Sequence, residues 1–303
     1  MPLQSLQAEY RDRIIRAVRF IEMSLSSPMS LEDAAAESAW SFFHFHRIFQ
    51  AMMGIAPGEY LRMRRLSEAV RLLSSGDSSA AEIARAVGFG SPEAFSRSFK
   101  AQFGRTPGAY RADSGPLALM NPFGPAERPL VHRATCLSGD PVVSLYGPVR
   151  LAVKSRVFAL ENPFLTRRIG EFWDESNDDL ARACGLPPGS SLERSYGIGL
   201  AEPGNEGMGM VYHAGIELTP GFAPPEGFTE FEIPRGEYLL ALHRGPVSLL
   251  NETYLHLYGS WLPRSGRRPG AAMDFDFYGE GFDREDPESS GSTVEFRIPL
   301  API

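Results

Sequence analysis

The chain repeats itself, and the repeat limits what its first third can become. Residues 41–60, SFFHFHRIFQAMMGIAPGEY, align with residues 91–110, SPEAFSRSFKAQFGRTPGAY, at an offset of 50, with Ser, Phe, Arg, Phe, Ala, Gly, Pro, Gly and Tyr at the same places in both. The match runs backward: Glu32, Ala34 and Ala36 correspond to Glu82, Ala84 and Ala86. Across residues 8–111 apolar positions recur three and four apart, strand-like alternation is missing, and Gly or Pro punctuates at short intervals, which reads as helix throughout. Each copy is thus expected to be a short helix, a turn and a longer helix. Ser41 and Ser91 stand where an N-cap is needed to satisfy the free amides that open the longer helix.

The longer helix of each copy has to pack and also present a face. Phe45 and Phe49, like Phe95 and Phe99, are four apart and form one apolar stripe, with Arg47 and Arg97 on the opposite side. On a lone helix such an arginine is an ordinary solvated charge. Two aromatic-anchored helices with Arg at the same register, each after a small helix and a capped turn, look instead like a pair of recognition helices for the major groove of DNA. Between the copies, EYLRMRRLSEAVRLLSSG carries an apolar stripe of Leu66, Val70 and Leu73 and a charged side of Arg62, Arg64 and Arg65. A connector helix of roughly 14 residues spans about 21 Å, enough with the width of the motifs to set two readers near one DNA turn apart, about 34 Å. His44 and His46 are two apart, so on a helix they point about 200° from each other and cannot grip one ion. His46 is the DNA candidate and His44 a packing residue; no metal and no cofactor are expected.

Charge divides the chain in the same place. Residues 1–112 hold 14 Lys and Arg against 11 Asp and Glu, net +3, whereas the remainder holds 16 against 26, net −10. The mildly basic front suits phosphate contact; the acidic rear would be repelled by DNA and would attract cations. Residues 113–129, DSGPLALMNPFGPAERP, have no period and are rich in Pro and Gly, so a linker is placed there, between a DNA-binding domain at 8–112 and a second domain at 130–303. Beyond it come short β-type runs, LAVKSRV, MVYHAGIEL, EYLLALH, MDFDFY and TVEFRIPL, with helical stretches near 164–183 and 248–262. These imply an α+β domain with an antiparallel sheet. It reads as two strand-helix-strand-strand modules, the first running from LAVKSRV through the helix around Ile169, Phe172 and Trp173 to YGIGL and MVYHAGIEL. The second runs from EYLLALHRGP through the helix around Tyr254, Tyr258 and Trp261 to MDFDFY and TVEFRIPL. Two such modules back to back would leave a groove between their helices.

Other features carry little. GIGLAEPGNEGMG lacks GxGxxG spacing and a following helix, and GEGFDREDPESSG lacks calcium-loop spacing; both read as loops. Cys136 and Cys184 are too few for a disulfide framework. No run approaches the roughly 18 to 20 apolar residues of a membrane span, and the N-terminus has no signal-peptide core, so the expectation is a cytoplasmic protein without a membrane partner.

The second copy, Gly88-Phe89-x-Ser91-x3-Phe95-x-Arg97-x-Phe99-Lys100-x2-Phe103-Gly104-x-Thr106-Pro107-x2-Tyr110-Arg111, resembles the signature of the AraC/XylS family of transcription regulators, and the likeness covers nearly all of residues 10–112. The resemblance implies that two helices enter adjacent major-groove segments of promoter DNA through Phe43, His46 and Arg47 in the first and Pro92, Glu93, Ala94 and Arg97 in the second, behind the caps Ser41 and Ser91. Pro92 and Ala94 cannot hydrogen-bond a base edge with their side chains, so readout would lean on His46, Arg47 and Arg97, with Glu93 able to accept from cytosine N4. Ala39 stands in the first turn where Gly is usual in the family.

The run GFAPPEGFTEFEIPRGEYLLALHRGPVSLLNETYLHLYGSWLPRSG, followed by FDFY and VEFRIPL, resembles the GyrI-like effector-binding domain. In the first module the family's His-x-Gly-Pro turn is replaced by SRVFALENPF. The resemblance implies a groove for a lipophilic, often cationic small molecule, held by aromatic faces and a buried carboxylate. Glu295 is the first choice for that carboxylate and Asp276 the second, with Trp173, Tyr212, Tyr254, Tyr258, Trp261 and Tyr278 as walls. The expectation is a ligand-responsive regulator that is not an enzyme, in which a bound effector alters how the readers meet promoter DNA or RNA polymerase. A GyrI-like hydrolase with a groove glutamate as general base, or a protein-binding inhibitor module with a filled groove, is the alternative.

Overall fold

The computed structural model describes residues 3–27, 29–113, 115–122, 136–159, 165–185, 192, 194–201, 209–218, 221 and 223–302. Residues 123–129 of the expected linker, 160–164 of the departing turn and 202–208 of the Gly-rich loop lie outside the described residues. The chain divides into two compact units, Glu9–Arg128 and Pro129–Ile303 taken with Met1–Ala8.

The first unit is helical, holding α1 (Leu3–Met23) from Glu9 onward, α2 (Leu31–Glu37), α3 (Phe42–Met53), α4 (Pro57–Ser75), α5 (Ala80–Ala86), α6 (Pro92–Phe103) and α7 (Pro107–Ala112). The two copies share their punctuation. Ser41 caps α3 by accepting from His44 N–H, and Ser91 caps α6 by accepting from Ala94 N–H. Gly54 and Gly104 end those helices at φ 74°, and Pro57 and Pro107 open the next, as the fixed φ of proline at a first helical position and the permissive backbone of glycine at a last one dictate. The cores repeat as well: Phe45 stacks edge-on against Phe49 and Phe49 against Tyr60, while Phe95 meets Phe99 and Phe99 meets Tyr110. All six rings are buried.

The backward extension of the repeat shifts by one residue. Ser30 and Asp33 form a capping box at α2, and Ser79 and Glu82 form the same box at α5. Trp40 N–H closes on Ala35 C=O as Phe89 N–H closes on Ala84 C=O. The short helices therefore correspond at an offset of 49, so Asp33, not Glu32, is the counterpart of Glu82. The longer helices keep 50, and the second copy has one extra residue in its turn. Cap hydrogen bonds fix the phase of a helix, and side-chain identity does not. In that turn Ala39 (φ 53°) and Gly88 (φ 78°) occupy one slot, both left-handed.

The connector differs from expectation in length and in the direction of its charges. Helix α4 has 19 residues, about 28 Å at 1.5 Å per residue. Arg64 turns inward, where its Nε and Nη2 donate to the two carboxylate oxygens of Glu22 at 2.8 Å each while Tyr60 O–H donates to Glu22 at 2.8 Å. Arg65 donates to the carbonyls of Leu25 and Ser27 beyond α1; Arg62 keeps an exposed partner, Glu59. Residues 115–122 carry no regular structure yet lie on this unit. Met120 N–H donates to Ser67 Oγ at 2.9 Å, Arg64 Nη1 donates to Met120 C=O, and Leu117 packs on the second copy's core.

The second unit is built on one eight-stranded antiparallel sheet. Its strands are β1 (Val142–Tyr146), β2 (Val149–Ala159), β3 (Ser195–Ala201), β4 (Gly209–Glu217), β5 (Thr229–Ile233), β6 (Gly236–Arg244), β7 (Phe275–Tyr278) and β8 (Thr293–Pro299), in the order β1-β6-β8-β7-β3-β4-β2-β5. Helix α8 (Leu165–Ala183) belongs to the first module. The second module's helix is α9 (Leu250–His256), a π turn at Leu257–Trp261, and α10 (Leu262–Ser265). Both expected modules form, as β2-α8-β3-β4 and β6-α9/α10-β7-β8, and they join through β3 and β7. The sequence reading lacked β1 and β5. Each precedes the first strand of one module and pairs with the first strand of the other, β1 with β6 and β5 with β2, so the halves are clasped by exchanged edge strands.

Register sorts the sheet's side chains. Phe296, Asp276 and Gly197 sit directly across from one another, and Tyr254 of α9 packs on Phe296 at 4.4 Å, so this face carries the helices. Phe172 of α8 meets Tyr212 on the same face. Residues one step along, Glu295, Phe277 and Tyr196, point to the other face, over a core of Leu151, Val153, Tyr196, Ile198, Tyr238 and Phe275.

Candidate functional site

In the helical unit, Phe95 and Phe99 anchor α6 from one side and leave Pro92, Glu93, Arg97 and Lys100 exposed on the other, with Ala94 half-buried. The 3.6-residue period makes this separation automatic once the aromatic pair is buried. Ser91 is the cap that sets where that face begins. Helix α3 is anchored alike by Phe45 and Phe49, but its second face is less open. Phe43, His46 and Arg47 are half-buried, and the Arg47 guanidinium lies 5.4 Å over the Phe43 ring. Ser41 is exposed, and its hydroxyl caps the helix and meets His44 Nδ1 at 2.9 Å. His44 is buried, and the packing role expected of it fits. Burial, and then the Arg47 charge, lower both His44 and His46 to about 4; at neutral pH each is an uncharged imidazole, so His46 offers a donor and an acceptor but no cation. Positive charge on these faces comes from Arg47, Arg97 and Lys100.

In the sheet unit, a groove of about 570 Å³ opens between the two modules' helices. One wall is α8, with Ile169, Trp173, Asp174 and Asn177. The other is Val247 and Leu250 at the start of the second module's helix, closed by Phe282, Asp283, Arg284 and Glu285; Leu192, Ser195 and Tyr278 form the floor. Its size and largely apolar lining are those of a small-molecule site. Trp173 and Tyr278 pack edge-to-face at 5.5 Å, and the Trp173 indole N–H donates to Tyr212 Oη at 3.1 Å. Beneath them the Tyr278 hydroxyl hydrogen-bonds with Tyr212 and Asp276, and Tyr254 O–H donates to Asp276 at 2.5 Å. Burial pushes the hydroxyls of Tyr212 and Tyr278 well up, with the Asp276 charge adding to it, so both stay protonated as donors. Asp276 thus sits 9% exposed under an aromatic lid.

Of the residues expected to bind a ligand, Trp173 and Tyr278 line the groove; Tyr212, Tyr254 and Asp276 do not line it but form a cluster beneath, and the rest lie elsewhere. Glu295 points to the opposite face of β8, where Arg297 pairs with it at 2.7 Å, because it is one residue out of phase with Phe296 and strand side chains alternate. Tyr258 is buried and donates to Asp274 at 3.1 Å. Trp261 lines a different pocket. Sequence reasoning missed Asp174, Asp283 and Glu285 along the rim, and the role of Arg284, whose guanidinium binds the carbonyls of Tyr278, Gly279 and Phe282 and lies 5.4 Å over the Phe282 ring. It also missed Gly197, directly across from Asp276: a Cβ there would collide with the Tyr212 hydroxyl. A glycine inside the β-type run YGIGL was the available signal.

Residues 34–113 match the helix-turn-helix domain family, and residues 147–301 match the GyrI-like small molecule binding domain family. The chain is similar to the transcriptional regulator Rob of Salmonella typhimurium, with 25% identity over 293 residues covering 93% of this chain and 95% of that protein. It is 36% identical to the HTH-type transcriptional activator AarP of Providencia stuartii over 106 residues, which cover 34% of this chain and 78% of AarP. A solved transcriptional regulator of the AraC-type DNA-binding class from Chromobacterium violaceum is 31% identical, with a TM-score of 0.32, over 36% of this chain and 99% of that one. None of its described helices is long and apolar enough to cross a membrane.

Proposed function

The chain belongs to the AraC-type helix-turn-helix regulators in its first part and to the GyrI-like small-molecule-binding family in its second, and from that premise we propose that it is a one-component regulator whose grip on promoter DNA answers to a lipophilic cation in the groove. The observation that carries this reading is the pairing, in one chain, of twin aromatic-anchored helices bearing arginine with a groove of about 570 Å³ walled by Trp173 and Tyr278, beneath which Asp276 lies buried. On the DNA side, Arg97 with Lys100 supplies phosphate contact or a bidentate grip on guanine, and Glu93 can accept from cytosine N4. Arg47, His46 and Phe43 serve the first reader, behind the caps Ser41 and Ser91. RNA polymerase at the promoter is the second macromolecular partner.

On the ligand side, Trp173 and Tyr278 supply apolar area and cation–π attraction, while Asp276 and the rim carboxylates favour a positive charge. A carboxylate this buried binds a cation best when the cation fills the site and excludes water. An open groove of this volume suits a small molecule better than a protein partner docked through filled side chains. The test measures affinity for promoter DNA across a salt series, with and without tetraphenylphosphonium. Arg97→Ala and Arg47→Ala should each flatten the slope of log K against log salt by about 0.9, and tetraphenylphosphonium should shift the wild-type affinity but not that of Trp173→Ala. Unchanged slopes in both arginine variants would remove those helices from the DNA interface, and an affinity indifferent to the cation would remove the groove from regulation.

A further inference from the structure

A second pocket, of about 490 Å³, lies where the second module's helix approaches β1, and among the described residues it shares no lining with the groove. Its origin is a local break in the helix. Pro263 has no N–H to give and its ring cannot tolerate the carbonyl four residues back. The chain answers with one π turn at Leu257–Trp261, in which Leu262 N–H reaches Leu257 C=O, five back. Such turns widen a helix and are common at functional sites.

The break leaves three marks on the pocket. Ser260, 2% exposed, lines it, and the Ser260 Oγ has no hydrogen-bond partner among the described residues. A serine inside a regular helix would normally settle by donating to the carbonyl four back, and a buried hydroxyl without a partner is costly. Arg264, one turn on, also lines the pocket and makes no ion pair among the described residues. Arg267 forms part of the wall, held in place by Glu237 at 2.6 Å and by the Ala301 carbonyl. Among the described residues the lining includes two guanidinium groups and the His256 imidazole and no carboxylate, the nearest being that of Glu237, paired with Arg267, inside a domain that is otherwise strongly acidic. Trp261 and Val143, the latter 41% exposed on the edge strand, supply an aromatic and an aliphatic wall.

We propose that this pocket is a second ligand site, taking an amphipathic organic anion of the aromatic carboxylate class. The Arg264 fork matches the planar carboxylate, Ser260 supplies the hydroxyl that now lacks a partner, and Trp261 with Val143 covers the ring. The protein then holds two sites of opposite charge preference on one sheet, the groove for a cation and this pocket for an anion. The pocket stands on its own residues, whatever the groove binds.

Equilibrium dialysis of the full chain against 2-naphthoate at fixed ionic strength tests it, with circular dichroism to show that each variant is folded. The expected result is saturable binding of one equivalent, weakened about tenfold or more in Arg264→Gln, weakened less in Arg264→Lys, and weakened in Ser260→Ala, which removes the stranded hydroxyl without disturbing the helix. Neither tetraphenylphosphonium nor inorganic phosphate should displace the probe. Absence of saturable binding, or equal affinity in the folded Arg264→Gln and Ser260→Ala variants, would overturn the site. Displacement by tetraphenylphosphonium would move the anion to the groove, and displacement by phosphate at equal concentration would show that the apolar walls contribute nothing.

Discussion

The turn of each helix-turn-helix copy contains one left-handed residue, alanine in the first and glycine in the second, and exchanging them should have opposite consequences. Ala39 sits at φ 53°, a conformation that costs a residue with a Cβ about 1–2 kcal/mol. Glycine there removes that cost but loses about 0.5–1 kcal/mol more entropy on folding, so Ala39→Gly should stabilise the helical unit by about 0.5–1 kcal/mol. The reverse change is heavier. A Cβ on Gly88 would lie 2.7 Å from the Leu25 carbonyl oxygen and 2.8 Å from the Arg65 guanidinium. Arg65 would have to leave, and with it the bonds it donates to Leu25 and Ser27 at 3.1 and 3.3 Å. Left-handed strain plus a charged hydrogen bond lost places Gly88→Ala at about 2–4 kcal/mol of destabilisation. Calorimetry of the full chain, following the transition of the helical unit, should find Ala39→Gly raised by about 2–4 °C and Gly88→Ala lowered by about 6–15 °C. A lowered transition in Ala39→Gly would refute the strain argument. A Gly88→Ala transition within a degree of wild type would refute the close approach.

Further outcomes follow from other buried groups. Because the folded chain holds His44 and His46 at about 4 while an unfolded chain holds them near the ordinary histidine value, the unfolded state binds more protons between pH 6.5 and 4. Stability of the helical unit should therefore fall as pH drops through that window, and His44→Gln should flatten the fall in urea midpoints. Glu22→Gln removes the counter-charge of Arg64, whose side chain is 10% exposed; urea titration should show a loss of about 2–4 kcal/mol, partly recovered when Arg64→Met is added. For the groove, Asp276→Asn should weaken tetraphenylphosphonium binding about tenfold, whereas Glu295→Gln, on the other face of β8, should leave it within about twofold. A reversed order in dialysis would return Glu295 to the site.

Much of this architecture was legible in the sequence because it follows from local rules. Serine caps, Pro-Gly punctuation and the four-residue spacing of Phe45/Phe49 and Phe95/Phe99 are decided within a turn or two of chain, and they marked α3 and α6. The six inner strands and both helices of the modules were visible for the same reason. The exchanged strands β1 and β5 were not, since their partners lie far along the chain, as in Val142 with Leu240 and Val153 with Thr229. The offset of the short helices was misread because matching letters, Glu32 with Glu82, concealed the hydrogen bonds that fix helix phase through Asp33.

By itself the sequence determined that two copies of a capped helical motif precede a two-module sheet, and that arginines stand opposite buried aromatics. Hydrophobic period and end-capping are properties of neighbouring residues. Only the tertiary structure decided which charges are spent inside and which carboxylate lies under the groove. Arg64 is committed to Glu22, while Glu295 and Asp276, both in β-type runs, are sent to opposite faces by the cross-strand register. Register and ion pairing join residues far apart in the chain, so no local pattern encodes them.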